Sequence, residues 1–183
     1  MMRGAGLLLL LWAAMASAQS QPGAFDQAFD GEERPWREVE AQLPAYPRPE
    51  KLLQFDPGGT SANRYFMDVA SISVDPDGVV RYSLLIRSAQ GAENVSFEGI
   101  RCATRERRLY AFGRRDGSWS RARNSRWERI EAHVAQSRHQ MVLYSDFFCP
   151  EGRIAGDRDE IVDGLRRGMN RRLEDFYRGG GGD

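Results

Sequence analysis

The sequence predicts an α+β fold: a single domain in which an antiparallel meander sheet of four to five strands carries C-terminal helices packed on one face. Three observations predict it. Short runs with period-two apolar patterning fill residues 69–119. Compact turn signals (Asp75-Pro76-Asp77-Gly78, Gln90-Gly91 and Arg115-Asp116-Gly117) separate those runs by few residues, which favours antiparallel neighbours. Helical periodicity appears only after residue 136. With 183 residues the chain suits one ordinary core and is short for two. Its 41% apolar and 10% aromatic content excludes a wholly disordered, collagenous or coiled-coil chain. Basic and acidic residues balance at 26 each, so the global basic excess of a nucleic-acid binder is missing.

Residues 1–18 read as a secretory signal peptide: Arg3, an apolar run over 7–14, then Ala16-Ser17-Ala18 as a small-x-small cleavage site before Gln19. Residues 5–18 are too few for a spanning helix, which needs roughly 20. No cysteine lies near the cleavage site to carry a lipid, and no other stretch has the apolar length to span a bilayer. Residues 19–50 form a Pro-rich acidic arm or linker. Pro22, Pro35, Pro44, Pro47 and Pro49 block helix and interior strand, and seven acidic residues face three arginines. Trp36 and Tyr46 point to its later part being pinned on the domain surface; a free tether is the competing view. The single α+β domain is expected over 51–178, followed by a flexible glycine tail at 179–183.

Within the domain, residues 69–74 alternate small or polar with apolar side chains, turn at Pro76-Asp77-Gly78, and return over 79–87 with Val80, Tyr82, Leu84 and Ile86 on one face. Residues 94–102 give a third strand, 107–113 a fourth, and a short fifth lies around Trp119. Residues 136–148 predict a helix with Met141, Tyr144 and Phe148 on one face, stopped by Pro150. Residues 157–177 predict another. Ile161, Leu165, Met169, Leu173 and Phe176 form its stripe, Asp157 and Glu160 a capping box, and Gly164 and Gly168 weaken it. That stripe either packs internally or docks a partner.

Cys102 and Cys149 are an even pair in an exported chain, for which a disulfide is the default. A metal or redox role is poorly served, since His133 and His139 are six apart and the cysteines lack C-x-x-C spacing. No cofactor motif is present: the glycine run is terminal, and no Gly-x-Ser-x-Gly elbow occurs. Acid–base chemistry has the candidates Glu98, His139 and Asp146, although a strand carboxylate is more often solvated or paired with an arginine such as Arg101. The densest charge lies over 101–129, with ten arginines against Glu106, Asp116 and Glu128. Arg114, Arg115, Trp119, Arg121, Arg123 and Trp127 make the candidate binding surface, because guanidinium forks grip phosphate and carboxylate and stack on aromatic faces. The opposing view has these arginines solvated and paired with the acidic arm.

The order Trp36, Leu43-Pro44-Ala45-Tyr46-Pro47, Gly78-Val79-Val80-Arg81-Tyr82, Asn94-Val95-Ser96-Phe97-Glu98-Gly99-Ile100-Arg101-Cys102 continues into Tyr110-Ala111-Phe112-Gly113. Asp116-Gly117-Ser118-Trp119, Ala122-Arg123-Asn124, Trp127 and Asp146-Phe147-Phe148-Cys149-Pro150 follow. Together, over residues 36–150, these resemble the cryptic neisserial protein-like family of Gram-negative bacteria. The resemblance implies a periplasmic location and brings no activity, cofactor or catalytic residue. The expectation is a periplasmic, non-enzymatic binding or interaction module without cofactor. Its partner would be an envelope protein or anionic envelope polymer, not nucleic acid. The alternative is an envelope enzyme using carboxylate and histidine acid–base chemistry.

Overall fold

The structure, a computed structural model, describes residues 35–131, 134 and 137–179, with helix α2 side chains described as far as Gly168. Residues 1–18, expected as a signal peptide, the arm before residue 35, His133, the tail from residue 180 and the side chains of Met169, Leu173 and Phe176 lie outside the described residues.

Seven strands build one antiparallel sheet: β1 (Leu52–Phe55), β2 (Arg64–Val74), β3 (Val79–Arg87), β4 (Glu93–Arg101), β5 (Glu106–Gly113), β6 (Trp119–Arg121) and β7 (Trp127–Arg129). From β1 to β6, neighbours in sequence are neighbours in space, which is the expected meander. The strand count exceeds the expected four to five because β1 and β7 are short and carry no readable alternation. β6 lies opposite Ala111, Phe112 and Gly113, and β7 opposite Glu106, Arg107 and Arg108. They are two halves of one edge strand, interrupted by residues 122–126.

Both faces of the sheet are covered, and β3 shows it: the strand is buried from Val79 through Leu85 without a break. Val80, Tyr82 and Leu84 face the helices, as expected, in a core with Met67, Ile100, Leu143, Phe148, Ile161 and Leu165. Val79, Arg81, Ser83 and Leu85 face the other way. β2 departs from simple alternation because its register with β3 shifts between Asp68 and Ser73. At this bulge the Ser71 hydroxyl accepts the Ser83 N–H at 2.7 Å, so a side chain replaces a ladder carbonyl.

Helix α1 (Arg138–Val142) continues into a π-helical turn over Leu143–Phe148 and stops before Pro150. Its inner face is not the expected Met141, Tyr144, Phe148 stripe. His139, Gln140, Leu143, Phe147 and Phe148 are buried, while Met141 and Tyr144 sit half-buried at the margin. The true stripe was hidden because it opens with two polar residues. Helix α2 (Arg158–Gly179) begins with the expected capping box: Asp157 Oδ1 accepts the Glu160 N–H at 3.0 Å, and Glu160 Oε2 accepts the Asp157 N–H at 2.9 Å. Ile161, Val162 and Leu165 pack inward, so this part of the stripe belongs to the core rather than to a partner. Gly168 has a packing role, since a Cβ there would stand 2.5 Å from the Phe147 ring.

The Cys102–Cys149 disulfide closes the helix side, with Cα atoms 5.3 Å apart and both residues buried. It ties the end of β4 to the end of the π-helical turn. On the opposite face, residues 36–48 run without regular secondary structure, and Ala41 and Leu43 pack against Phe97, Tyr110, Ala111 and Trp119. Among the described residues no helix is long and apolar enough to cross a membrane.

Candidate functional site

Pleating puts Arg81 of β3 on the arm face, where its side chain is only 2% exposed. A charge so placed needs partners. Its Nη2 donates to Asp77 Oδ2 at 2.7 Å and to the Val39 carbonyl at 2.9 Å, and its Nη1 donates to Asp75 Oδ2 at 2.7 Å. Asp77 in turn accepts the Val39 N–H at 2.8 Å, and the Trp36 indole N–H donates to the Asp77 carbonyl at 2.7 Å. Burial works against the Asp77 carboxylate, but the Arg81 guanidinium and the Val39 N–H prevail and hold it below the usual carboxylate range. The turn between β2 and β3 thus clamps the arm by its backbone.

Glu38 makes the second clamp. Its carboxylate accepts the Tyr110 hydroxyl at 2.7 Å and the Trp127 indole N–H at 3.1 Å, and it pairs with Arg108. Burial and the Glu38 carboxylate push the Tyr110 phenol well above its ordinary value. Farther along, the Trp119 indole N–H donates to the Pro44 carbonyl at 2.9 Å, and Arg101 stacks on the Trp36 ring at 3.9 Å. The arm needs room as well as donors. A Cβ on Gly99 would lie 2.8 Å from the Tyr110 hydroxyl, and one on Gly113 would lie 2.8 Å from the Tyr46 ring. Sequence reasoning missed Arg81, Asp77 and Glu38. The available signal was that Val79 and Leu85 flank Arg81 on its own face, which marks a strand buried on both sides.

Eight of the ten arginines over 101–129 fall into two groups; of the others, Arg105 is half-buried, and Arg129 is exposed and in no ion pair among the described residues. Arg107 and Arg126 pair with Glu128, Arg108 with Glu38, and Arg101 with Glu106. Arg114 and Arg115 at the β5–β6 turn, Arg121 in β6 and Arg123 in the following loop are exposed. Among the described residues none of these four has a carboxylate in ion-pair contact; the Arg114 guanidinium donates to the Ser120 hydroxyl at 3.2 Å and its charge helps to hold the nearby Asp116 carboxyl below the usual range. Trp119 and Trp127, expected beside them, are half-buried and have their indole N–H groups engaged by the arm.

On the helix face the structure brings Glu98 and His139 together. Glu98, 5% exposed, accepts the Ser96 hydroxyl at 2.6 Å, the Tyr82 hydroxyl at 3.2 Å and a Gln140 amide N–H at 3.4 Å. Its partners are neutral donors and not Arg101, which lies three residues along and points to the opposite face. His139 packs its ring 5.2 Å from that of Tyr65. Burial holds its imidazole below the ordinary value, with Glu98 opposing that shift and Arg107 adding to it. Burial, then Glu98, pushes the Tyr82 phenol well above its usual range. Asp146 stands apart, lining a cleft of about 440 Å³ with Glu160, Asp163 and Arg167. Among the described residues no three His, Cys, Asp or Glu side chains are grouped to hold a metal ion.

Comparison with known proteins agrees with the resemblance carried by the residues. No solved structure matches the chain significantly. Cryptic neisserial protein 1 of Neisseria gonorrhoeae (strain ATCC 700825 / FA 1090) is 27% identical over 153 residues, covering 75% of each chain. The CNP1-like family model matches residues 31–166, which takes in the arm from Trp36, the whole sheet, the disulfide and the start of α2. The chain therefore belongs to the CNP1-like family.

Proposed function

We propose that this protein is an exported, periplasmic, non-enzymatic binding module that engages an anionic envelope polymer through Arg114, Arg115, Arg121 and Arg123. One observation carries the reading: Glu38 and Glu128 engage Arg107, Arg108 and Arg126, while these four beside the β6 edge are exposed and, among the described residues, in no ion pair. Guanidinium groups spaced along an edge suit a polymer with repeated phosphate or carboxylate groups, each offering a bidentate contact. Residues 1–18 as an export signal, together with the Cys102–Cys149 disulfide, support the location.

The test is cross-linking in intact cells with a tagged, secreted form, followed by mass spectrometry of what co-purifies. An anionic polymer recovered with the native chain, and lost when all four arginines become serine, is the expected result. Recovery of a protein partner in its place, or capture that survives the fourfold change, would overturn it.

The second reading, an envelope enzyme, draws support from the joint burial of Glu98 and His139. It requires a substrate path to a carboxylate that three neutral donors already occupy, and Asp146 has no part in it. Glu98→Gln in a folded protein would then abolish an activity, whereas the binding reading expects partner capture to persist.

A further inference from the structure

A cleft of about 250 Å³ opens between the arm and the β5–β6 edge. Its hollow comes from small side chains: Ala41, Ala122 and Ser125 stand where larger residues would fill it. Four charged residues line it: Glu38 and Glu40 from the arm, Arg108 from β5 and Arg121 from β6. Glu38 and Arg108 are committed to each other, and Arg108 Nε also donates to the Ser125 hydroxyl at 2.9 Å. Ser125 is fixed in turn by donating to the Leu109 carbonyl at 2.6 Å. Glu40 and Arg121 are different. Both are exposed, and among the described residues neither pairs with the other nor with any further charge.

An unpaired carboxylate and an unpaired guanidinium thus share one small cleft whose other charges cancel. A simple anion there would gain Arg121 but meet Glu40, and a simple cation would meet the reverse. Only a ligand carrying both charges satisfies both walls, because each partner leaves water for a charge-assisted hydrogen bond. We infer that the cleft is a binding site for a small zwitterion of the α-amino-acid class, its carboxylate on Arg121 and its ammonium on Glu40. The site is independent of the polymer reading and shares only Arg121 with it.

Titration of the full mature chain by amide NMR tests this with three probes: L-alanine, acetate and methylammonium. The expected result is saturable shifts at Ala41, Ala122 and Ser125 with L-alanine, and affinity about tenfold weaker for acetate or methylammonium, the loss of one charge-assisted bond. Glu40→Gln should reduce L-alanine to the level of acetate, and Arg121→Gln to that of methylammonium. Both residues are exposed, so an unchanged native spectrum will confirm that each variant folds. Arg114→Ser with Arg115→Ser should leave alanine binding intact while weakening polymer capture, which separates this site from the polymer reading. Non-saturating shifts, equal responses to all three probes, or alanine binding that survives both single variants would overturn the assignment.

Discussion

The two faces of the sheet are covered by different physics. The helix side buries a contiguous apolar cluster, adds one covalent closure, and keeps the buried Glu98 carboxylate among neutral donors. The arm side is covered by a segment with no regular secondary structure, held through side chains that grip its backbone and through the carboxylates of Asp77 and Glu38. A helix satisfies its own backbone; an extended arm away from a ladder cannot, so the sheet must supply donors and acceptors. That is why Arg81 and Trp119 donate to arm carbonyls, while Tyr110 and Trp127 hold the arm through the Glu38 carboxylate. The arginines beyond the arm's reach were left with no such task.

Breaking each cover should therefore look different. Replacing both cysteines by serine is expected to cost about 4 kcal/mol on the chain-entropy account, lowering denaturant midpoints for every probe of the domain together. Arg81→Met should cost about 3 kcal/mol, because it strands the Asp77 carboxylate in a buried site. Its signature is local: hydrogen exchange should speed up first at residues 36–48 and in the β2–β3 turn, with the helix side still protected. Uniform loss of protection in Arg81→Met would erase the distinction between the faces.

Acid separates the faces more gently. The His139 imidazole sits lower in the folded state than in the unfolded chain, so the unfolded chain binds more protons as pH falls through the ordinary histidine range near 6.5. Stability from the helix side should decline there, and His139→Gln should flatten that decline. The Asp77 carboxyl is shifted the same way at lower pH: its contribution is present above about 3.9 and is lost as pH falls through its folded value. Denaturant titrations from pH 7.5 to 3 should resolve two steps, the first absent in His139→Gln.

Much of the helix side was legible in the sequence. Val80, Tyr82 and Leu84 announce their face by alternation, Asp157 and Glu160 announce the helix start, and the two cysteines announce each other. Its errors have local causes: α1 opens its inner stripe with His139 and Gln140, and Gly168 reads as a weakness until Phe147 is seen against it. The arm side was barely legible, because its logic is long-range. Glu38 meets Tyr110 and Trp127 at separations of 72 and 89 residues, and no local pattern encodes such a meeting. The candidate surface suffered likewise: arginine density marked the region, but only the fold divides paired from unpaired arginines and shows that the two tryptophans serve the arm.

The fold divides those arginines into paired and unpaired, and one comparison tests that division. Two variants remove equal charge from the same region: Arg114→Gln with Arg115→Gln on the unpaired edge, and Arg107→Gln with Arg126→Gln beside Glu128. Their affinities for vesicles carrying lipopolysaccharide, measured over a range of salt, should part clearly. The first pair should lose about tenfold in affinity together with part of the salt dependence, and the second should lose little, since both of its guanidinium groups are already engaged by Glu128. Equal losses in the two variants would mean that only total charge matters, and would contradict the claim that the fold sets these arginines apart.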